Sequence, residues 1–237
     1  MPVFQRLGID FYNRPVLEAA RLLLGMRLVR QEGGQRLAGV IVETEAYGHE
    51  EDQGCHCRSG RTARTQVMYG PPGRAYIYFN SGMHWLFNVV VQPEGLPAAV
   101  LVRSLFPLEG VQEMIARRAG KAGNPARGAV ERPGAKPAPG PHRPPFDYRS
   151  LTGGPAKLCQ ALGITGALNG TDLCSPTAEL FIELGEGIPD QAVTLSPRVG
   201  LNTVSEPWKS LPWNFRVEPD YLQSQELFLQ RDQGGTG

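Results

Sequence analysis

The chain has 237 residues, of which 41% are hydrophobic and 20% charged, and its 24 basic and 23 acidic residues nearly balance. This length can bury a full hydrophobic core, and the composition is that of a soluble globular protein. No apolar stretch approaches the length of a membrane-spanning helix, and residues 1–31 carry no signal-peptide pattern. We therefore expect a cytoplasmic protein without a membrane partner.

The first predicted elements are a helix and a hairpin. Pro15 precedes apolar residues at helical spacing and Gly25 ends the pattern, so residues 16–24 are predicted to form a core helix. Residues 26–31 and 36–45 then flank two glycines, a pair typical of a tight turn between strands.

The second strand of this hairpin carries two carboxylates on one face. In the alternating segment 37–47, Glu43, Glu45 and Tyr47 point to the same side. Ionised carboxylates are rarely buried without a partner, so this face is either a buried ion pair or an acid–base site. The pattern alone leaves both interpretations open.

The cysteines do not predict a metal site. Cys55-His56-Cys57 is similar to half of a zinc site, but Cys159 and Cys174 do not supply a second ligand pair at a suitable spacing. We therefore expect free thiols, no metal and no other cofactor.

Two further strands form the clearest hairpin of the chain. Residues 74–80 and 85–91 are rich in aromatic and β-branched residues, and residues 80–82 between them have a turn sequence. The pattern predicts an exposed tip, with Tyr76 and Tyr78 on one face of the first strand.

Two basic side chains, Arg103 and Lys157, lie at positions where an anionic partner is expected. Arg103 lies in an otherwise apolar strand, and Glu43 or Glu45 is its natural partner. Lys157 lies in the first turn of a predicted helix after residues 153–154, where backbone amides and the lysine would suit a phosphate. An ordinary turn before a helix explains that second pattern equally well.

Positive charge and proline are concentrated in one segment. Residues 117–149 contain eight Lys or Arg and two acidic residues, and residues 120–145 contain seven of the 21 prolines. This composition predicts a flexible, basic Pro/Gly-rich insertion at about residues 120–146. Such an insertion suits an anionic partner and equally a solvated loop.

Six separated stretches are distributed over almost the whole chain outside that insertion. They are VETEAY at 42–47, the acidic loop that ends in His56, the tyrosine hairpin at 76–88, LVRSLFPLEG at 101–110, GGPAKLCQALGI at 153–164 and PRVG at 197–200. In this order they resemble the alkyladenine, or 3-methyladenine, DNA glycosylase family.

The resemblance implies an α+β fold in which residues 1–237 form a single domain on a curved, mostly antiparallel sheet, with a protruding DNA-binding β-hairpin. It implies a monofunctional glycosylase of base excision repair that flips alkylated purines, such as 3-methyladenine and 7-methylguanine, out of duplex DNA. Hydrolysis of the N-glycosidic bond would leave an abasic site, without strand cleavage because no lysine occupies the matched positions. The expected partner is double-stranded DNA with alkylated or deaminated purines, bound by a monomer that is nucleoid-associated if bacterial.

The resemblance also assigns catalytic roles by position. Glu45 matches the general base, while Arg103 and the backbone carbonyl of Val199 match the other groups that hold the attacking water. Glu43 matches no such role and is expected to be structural.

Four further positions match residues that contact the flipped base. Tyr47, His56 and Tyr78 would enclose it, with the tyrosines as stacking walls, and Asn88 would crowd the exocyclic amino group of guanine. Tyr76 is expected to pack in the core.

The predicted hairpin tip departs from the family pattern. The residue that wedges into the duplex is commonly a tyrosine, whereas Ser81 stands at the matching position. Because serine cannot fill the space left by a flipped nucleotide, we expect Met83 to supply an apolar plug. Arg58, Arg61, Arg64 and Lys157 are candidate contacts to the DNA backbone, and a solvated side chain is the alternative for each.

Two other functions remain open at this point. One is a catalytically silent DNA-binding module on the same scaffold, and the other is a hydrolase of free nucleosides. The sequence also leaves open whether neutral bases such as hypoxanthine are excised, since it identifies no acid to protonate them.

Overall fold

The computed structural model describes residues 5–120 and 148–224, so the predicted insertion falls almost wholly outside the described residues. In the described part, eight strands form one sheet, and the pairings between them are antiparallel. The strands are β1 (Arg27–Glu32), β2 (Gln35–Gly48), β3 (Ala75–Asn80), β4 (His84–Val90), β5 (Ala98–Glu109), β6 (Leu180–Glu183), β7 (Val193–Ser196) and β8 (Asn214–Val217). The α+β class is thereby confirmed.

The helices of the described residues are short. They are α1 (Ile9–Tyr12), α2 (Val16–Leu22), α3 (Val111–Gly120), α4 (Tyr148–Leu151), α5 (Pro155–Leu162) and α6 (Pro219–Ser224). The polar segment 48–73 adds two single turns of 3₁₀ helix, at His56–Ser59 and Gln66–Tyr69. Within the described ranges, no helix is long and apolar enough to cross a membrane.

Strand β2 is the centre of the sheet. Its first half pairs with β1, its second half pairs with β8, and β5 runs along nearly its whole length. The register between β2 and β5 shifts around Glu43, and such irregularities bend a strand and increase its twist. The carboxylate strand is therefore hydrogen-bonded on both edges and bent where its acids begin.

The two faces of β2 have different surroundings. The Thr44 hydroxyl donates to the Ala20 carbonyl of α2 at 2.8 Å, so Thr44 faces the helices and the main core. Because side chains alternate along a strand, Glu43 and Glu45 face the other way. On that side a second apolar cluster, which includes Tyr76 and Met68, supports the segment 48–73.

The predicted hairpin of β3 and β4 ends in an exposed turn. The Met83 N–H donates to the Asn80 carbonyl at 3.0 Å, and φ is +51° at Ser81 and +66° at Gly82. Positive φ at both central residues is the mark of a type I′ turn, which glycine adopts freely and serine does not. The tip therefore holds Ser81 in an unfavourable conformation and leaves Met83 66% exposed.

Candidate active site

A cavity of about 410 Å³ opens beside the root of the hairpin. Strands β2 to β5, the first turn of α5 and the segment 199–201 all contribute to its wall. The wall brings together six of the sequence-predicted residues, namely Tyr47, His56, Tyr78, Asn88, Arg103 and Val199. The seventh, Glu45, lies immediately behind the wall and is completely buried.

Glu45 accepts four hydrogen bonds. Its Oε2 accepts from the Tyr47 hydroxyl at 2.8 Å and from Arg103 Nη1 at 3.2 Å. Its Oε1 accepts from the backbone N–H of Val199 at 2.7 Å and from Asn214 Nδ2 at 3.0 Å. A carboxylate offers about four lone-pair directions, so the hydrogen-bonding capacity of this one is fully used.

Arg103 joins the two carboxylates of β2, as the sequence predicted. Its Nε donates to Glu43 Oε1 at 3.0 Å, and its Nη1 reaches Glu45. Burial alone would raise the pKa of Glu43, but the Asn214 hydrogen bond and the charges of Arg103 and Arg216 outweigh it and lower that pKa. Burial would lower the pKa of Arg103, yet the charges of Glu45 and Glu43 raise it. Glu43 and Arg103 are therefore both charged at neutral pH.

Val199 contacts Glu45 through its N–H, whereas the family resemblance assigns a role to its carbonyl. The segment that follows β7 turns back over the end of β2, which brings this amide to the carboxylate. The backbone at Val199 thus orients Glu45 in addition to lining the cavity.

Aromatic rings form one side of the cavity. The His56 and Tyr78 rings meet edge to face at 4.5 Å between centroids, and the Tyr76 and Tyr78 rings lie 5.5 Å apart. Burial raises the pKa of Tyr78 to about 12, and burial followed by the Glu45 charge raises that of Tyr47 well above its usual value. Both phenols therefore stay protonated, and Tyr47 remains a hydrogen-bond donor to Glu45.

His56 is a neutral imidazole in this wall. Burial, and after it the charges of Arg64 and Arg58, lowers its pKa to about 4. Its Nδ1 lies 2.9 Å from the Tyr76 hydroxyl, and Arg64 Nη2 donates to its Nε2 at 3.3 Å. Because a guanidinium only donates, this geometry assigns the ring proton to Nδ1.

Tyr76 has two roles rather than the packing role alone that the sequence suggested. Its ring is 2% exposed and belongs to the second apolar cluster, while its hydroxyl contacts His56 and its surface lines the cavity. Asn88 Nδ2 donates to the Tyr76 backbone carbonyl at 3.0 Å, which fixes the orientation of the Asn88 amide in the wall.

The predicted DNA contacts lie outside the cavity. Arg58 Nη1 donates to the Gln53 carbonyl at 3.0 Å, and the Arg61 guanidinium lies 5.7 Å from the centroid of the Tyr69 ring. Lys157 Nζ donates to the Arg149 carbonyl at 2.9 Å.

The sequence analysis missed two contributors to this site, Asn214, which bridges both carboxylates, and the buried Asp52–Arg198 ion pair. Asparagine is uncommon inside strands, so Asn214 in β8 is the contributor that the sequence could have indicated. The ion pair depends on contacts between distant segments. The guanidinium carbon of Arg64, a candidate DNA contact, lies 4.9 Å from the centroid of the Tyr78 ring.

The cysteines near the site are thiols. Cys55 and Cys57 are buried with their sulfurs 2.8 Å apart, and Cys57 Sγ also lies 3.0 Å from the His49 carbonyl. Among the residues that the structure describes, no group of three or more His, Cys, Asp or Glu side chains is placed to hold a metal ion.

Comparison with known proteins agrees with this architecture. Residues 10–220 match the family model described as methylpurine-DNA glycosylase (MPG). A protein of Methanocella arvoryzae is 41% identical over 91% of this chain and 92% of its own length. Proteins of Myxococcus xanthus, 41% identical over 88% of each chain, and Carboxydothermus hydrogenoformans, 40% identical over 88% of this chain and 93% of its own, are similarly close. All three carry the provisional name 3-methyladenine DNA glycosylase.

The chain therefore belongs to the methylpurine-DNA glycosylase family, which confirms the resemblance drawn from its six sequence stretches. This membership places it among the DNA glycosylases of base excision repair, with DNA as its partner.

Proposed function

We propose that this protein is a monofunctional DNA glycosylase that removes alkylated purines of the 3-methyladenine and 7-methylguanine type from double-stranded DNA. The observation that supports it best is the buried Glu45 carboxylate, held by Arg103 directly behind an aromatic cavity. The names of the relatives point to the same substrate class. We further propose that it acts as a monomer on DNA in the cytoplasm.

The cavity suits a base that has left the duplex. Flipping a nucleotide costs a few kcal/mol of stacking and pairing, and stacking on aromatic side chains returns about 1–3 kcal/mol per base. Tyr47 and Tyr78 supply such π faces, which attract a cationic alkylated purine more strongly than a neutral base. The neutral His56 imidazole adds no positive charge that would repel it.

The chemical step then needs a positioned water. The water oxygen forms a bond to C1′ of the sugar, the C1′–N bond breaks with its electron pair going to the base, and Glu45 takes a proton from the water. The charges of Glu45 and Glu43 stabilise the developing oxocarbenium ion, as carboxylates do in sugar hydrolysis. A cationic purine leaves as a neutral molecule, so this step requires no acid.

One donor must leave Glu45 before a water can bind to it, because its four lone pairs are taken. Arg103 and Asn214 are each anchored by a further hydrogen bond to Glu43, and the Val199 donor is a backbone amide. The Tyr47 hydroxyl belongs to a side chain in the cavity wall, which a stacked base would contact. Tyr47 is thus the donor that yields its place to the water.

Glu45→Gln is the decisive variant. We expect it to lower base release from methylated duplex DNA by about 10²–10⁴-fold while lesion binding persists, since glutamine keeps the shape but cannot take the proton. Free 3-methyladenine and 7-methylguanine are measured chromatographically, and the matched control is Glu50→Gln, which neutralises an exposed carboxylate nearby.

The same assay separates the other functions. Lesion binding without base release by the unmodified protein would identify a silent DNA-binding module. Release from free nucleosides, with little dependence on salt, would identify a nucleoside hydrolase, because a DNA enzyme loses affinity as salt displaces its phosphate contacts. A panel of single-lesion duplexes then defines whether neutral hypoxanthine is accepted.

A further inference from the structure

We propose that the buried Asp52–Arg198 ion pair is a positioning element for Glu45. It holds the Val199 amide in the place from which it donates to that carboxylate, and it holds the Tyr47 ring in the cavity wall. The inference rests on the proposed function, because it assigns a task in base excision to two residues that do not touch the cavity contents.

The pair is completely enclosed and doubly hydrogen-bonded. Arg198 Nη1 donates to Asp52 Oδ2 at 2.5 Å and Nη2 donates to Asp52 Oδ1 at 2.8 Å, with both side chains at 0% exposure. Two parallel bonds fix the plane of the guanidinium as well as its position. Lysine at residue 198 would keep the charge but lose this planar geometry.

Arg198 contacts β2 at Ala46 and Tyr47, the two residues that follow Glu45. Its Nη1 donates to the carbonyl of Ala46, the residue between Glu45 and Tyr47, at 3.0 Å. Its guanidinium carbon lies 4.6 Å from the centroid of the Tyr47 ring. The Ala46 backbone and the Tyr47 ring, which offers the stacking face, are therefore both held by one side chain.

Arg198 also fixes the segment that carries Val199. It is the preceding residue in the chain, so anchoring its side chain restricts where the Val199 N–H points. Its Nη2 donates to the Trp208 carbonyl at 3.2 Å, and its guanidinium carbon lies 4.9 Å from the centroid of the Trp213 ring. The segment between β7 and β8 is thus tied to the end of β2 at the level of Glu45.

Asp52 connects this arrangement to the loop that leads to His56. Its carboxylate accepts from the Gly54 amide at 2.9 Å and from the Gly48 amide at 3.4 Å. Gly54 has no room for a side chain, because a Cβ there would lie 2.9 Å from Arg198 Nη2. The ion pair therefore fixes the relative positions of the loop that leads to His56, the end of β2 and the segment that carries Val199.

Arg198→Lys tests the role in single-turnover base release and in binding to lesion duplex. We expect the rate constant to fall by about tenfold or more, since small misplacements near reacting groups are costly, while DNA affinity stays within about threefold. The matched control is Arg30→Lys, because Arg30 is another arginine that is 4% exposed and is held by Glu179 and Glu32 in the same sheet. Arg30→Lys should lower the melting temperature about as much as Arg198→Lys does, and it should leave the rate constant per folded molecule unchanged.

The Val199 amide gives a readout that does not depend on activity. In a ¹H–¹⁵N spectrum its proton should resonate far downfield, as expected for a short bond to a carboxylate, and should move upfield in Arg198→Lys but not in Arg30→Lys. Equal behaviour of the two variants in rate and in this resonance would overturn the proposal. If the unmodified protein releases no base, the proposed function fails, and the amide resonance still decides whether Arg198 positions Val199.

Discussion

At the scale of single residues, the site is governed by how many donors share one buried carboxylate. Glu45 has no exposed surface and four donors, so its charge is compensated without solvent. Such a carboxylate cannot bind a water molecule until one of its donors moves away. The Tyr47 hydroxyl is the donor best placed to do so, which gives a direct test.

Tyr47→Phe should leave the single-turnover rate on a cationic lesion unchanged or raise it by up to about fivefold. The phenylalanine keeps the stacking face and removes a hydrogen bond of net value about 1 kcal/mol that the water must otherwise displace. Tyr69→Phe is the matched control, because its hydroxyl bonds to Glu50 instead. A loss of about tenfold or more would mean that the hydroxyl acts in the transition state.

His56 provides a prediction about pH. Its pKa of about 4 means that the ring is neutral from pH 6 to 8, so its titration should not shape the rate in that range. NMR titration of the imidazole should therefore show a midpoint well below that of a free histidine. Arg64→Met removes one nearby positive charge and should raise the pKa of His56; an unchanged midpoint would leave burial and the charge of Arg58 as the causes.

At the scale of elements, one face of the β3–β4 hairpin lines the cavity, while its tip is exposed to solvent. Tyr76 and Tyr78 point into the cavity, while the tip presents Met83 to solvent and holds Ser81 at positive φ. A flipped nucleotide leaves a gap in the stack that an apolar side chain can fill. Met83 is the apolar residue of the tip, so we propose that it fills this gap.

Met83→Ala should reduce excision from duplex DNA by about tenfold and reduce it much less on single strands, because only the duplex has a gap to fill. Leu184→Ala is the control, since Leu184 is an exposed apolar residue just past the end of β6. Equal rates for the unmodified protein and Met83→Ala on the duplex would exclude Met83 as the plug.

At the scale of the whole molecule, β2 is shared by the hydrophobic core and the candidate active site. One of its faces packs on the helices through Thr44 and its neighbours, and the other presents Glu43, Glu45 and Tyr47 to segments from elsewhere in the chain. The antiparallel pairing with β5 and β8 delivers Arg103 and Asn214 to the same point. The central strand thus holds Glu45, while loops and the hairpin form the walls of the cavity.

The sequence by itself determined the local elements and part of the site. Alternation placed the two carboxylates and Tyr47 on one face of β2, turn residues located both hairpins, and the isolated charge of Arg103 indicated its carboxylate partners. These features depend on backbone periodicity and on the cost of burying an unpaired charge, both of which act over a few residues.

Only the tertiary structure decided how the carboxylate is held. The donors from Val199 and Asn214, and the Asp52–Arg198 pair, come from residues about 150 positions away from their partners in the chain, and no periodicity links them. Their meeting depends on β8 pairing with β2 and on the segment before β8 folding back over it. Long-range pairing of this kind is set by the packing of the whole sheet, which local pattern does not encode.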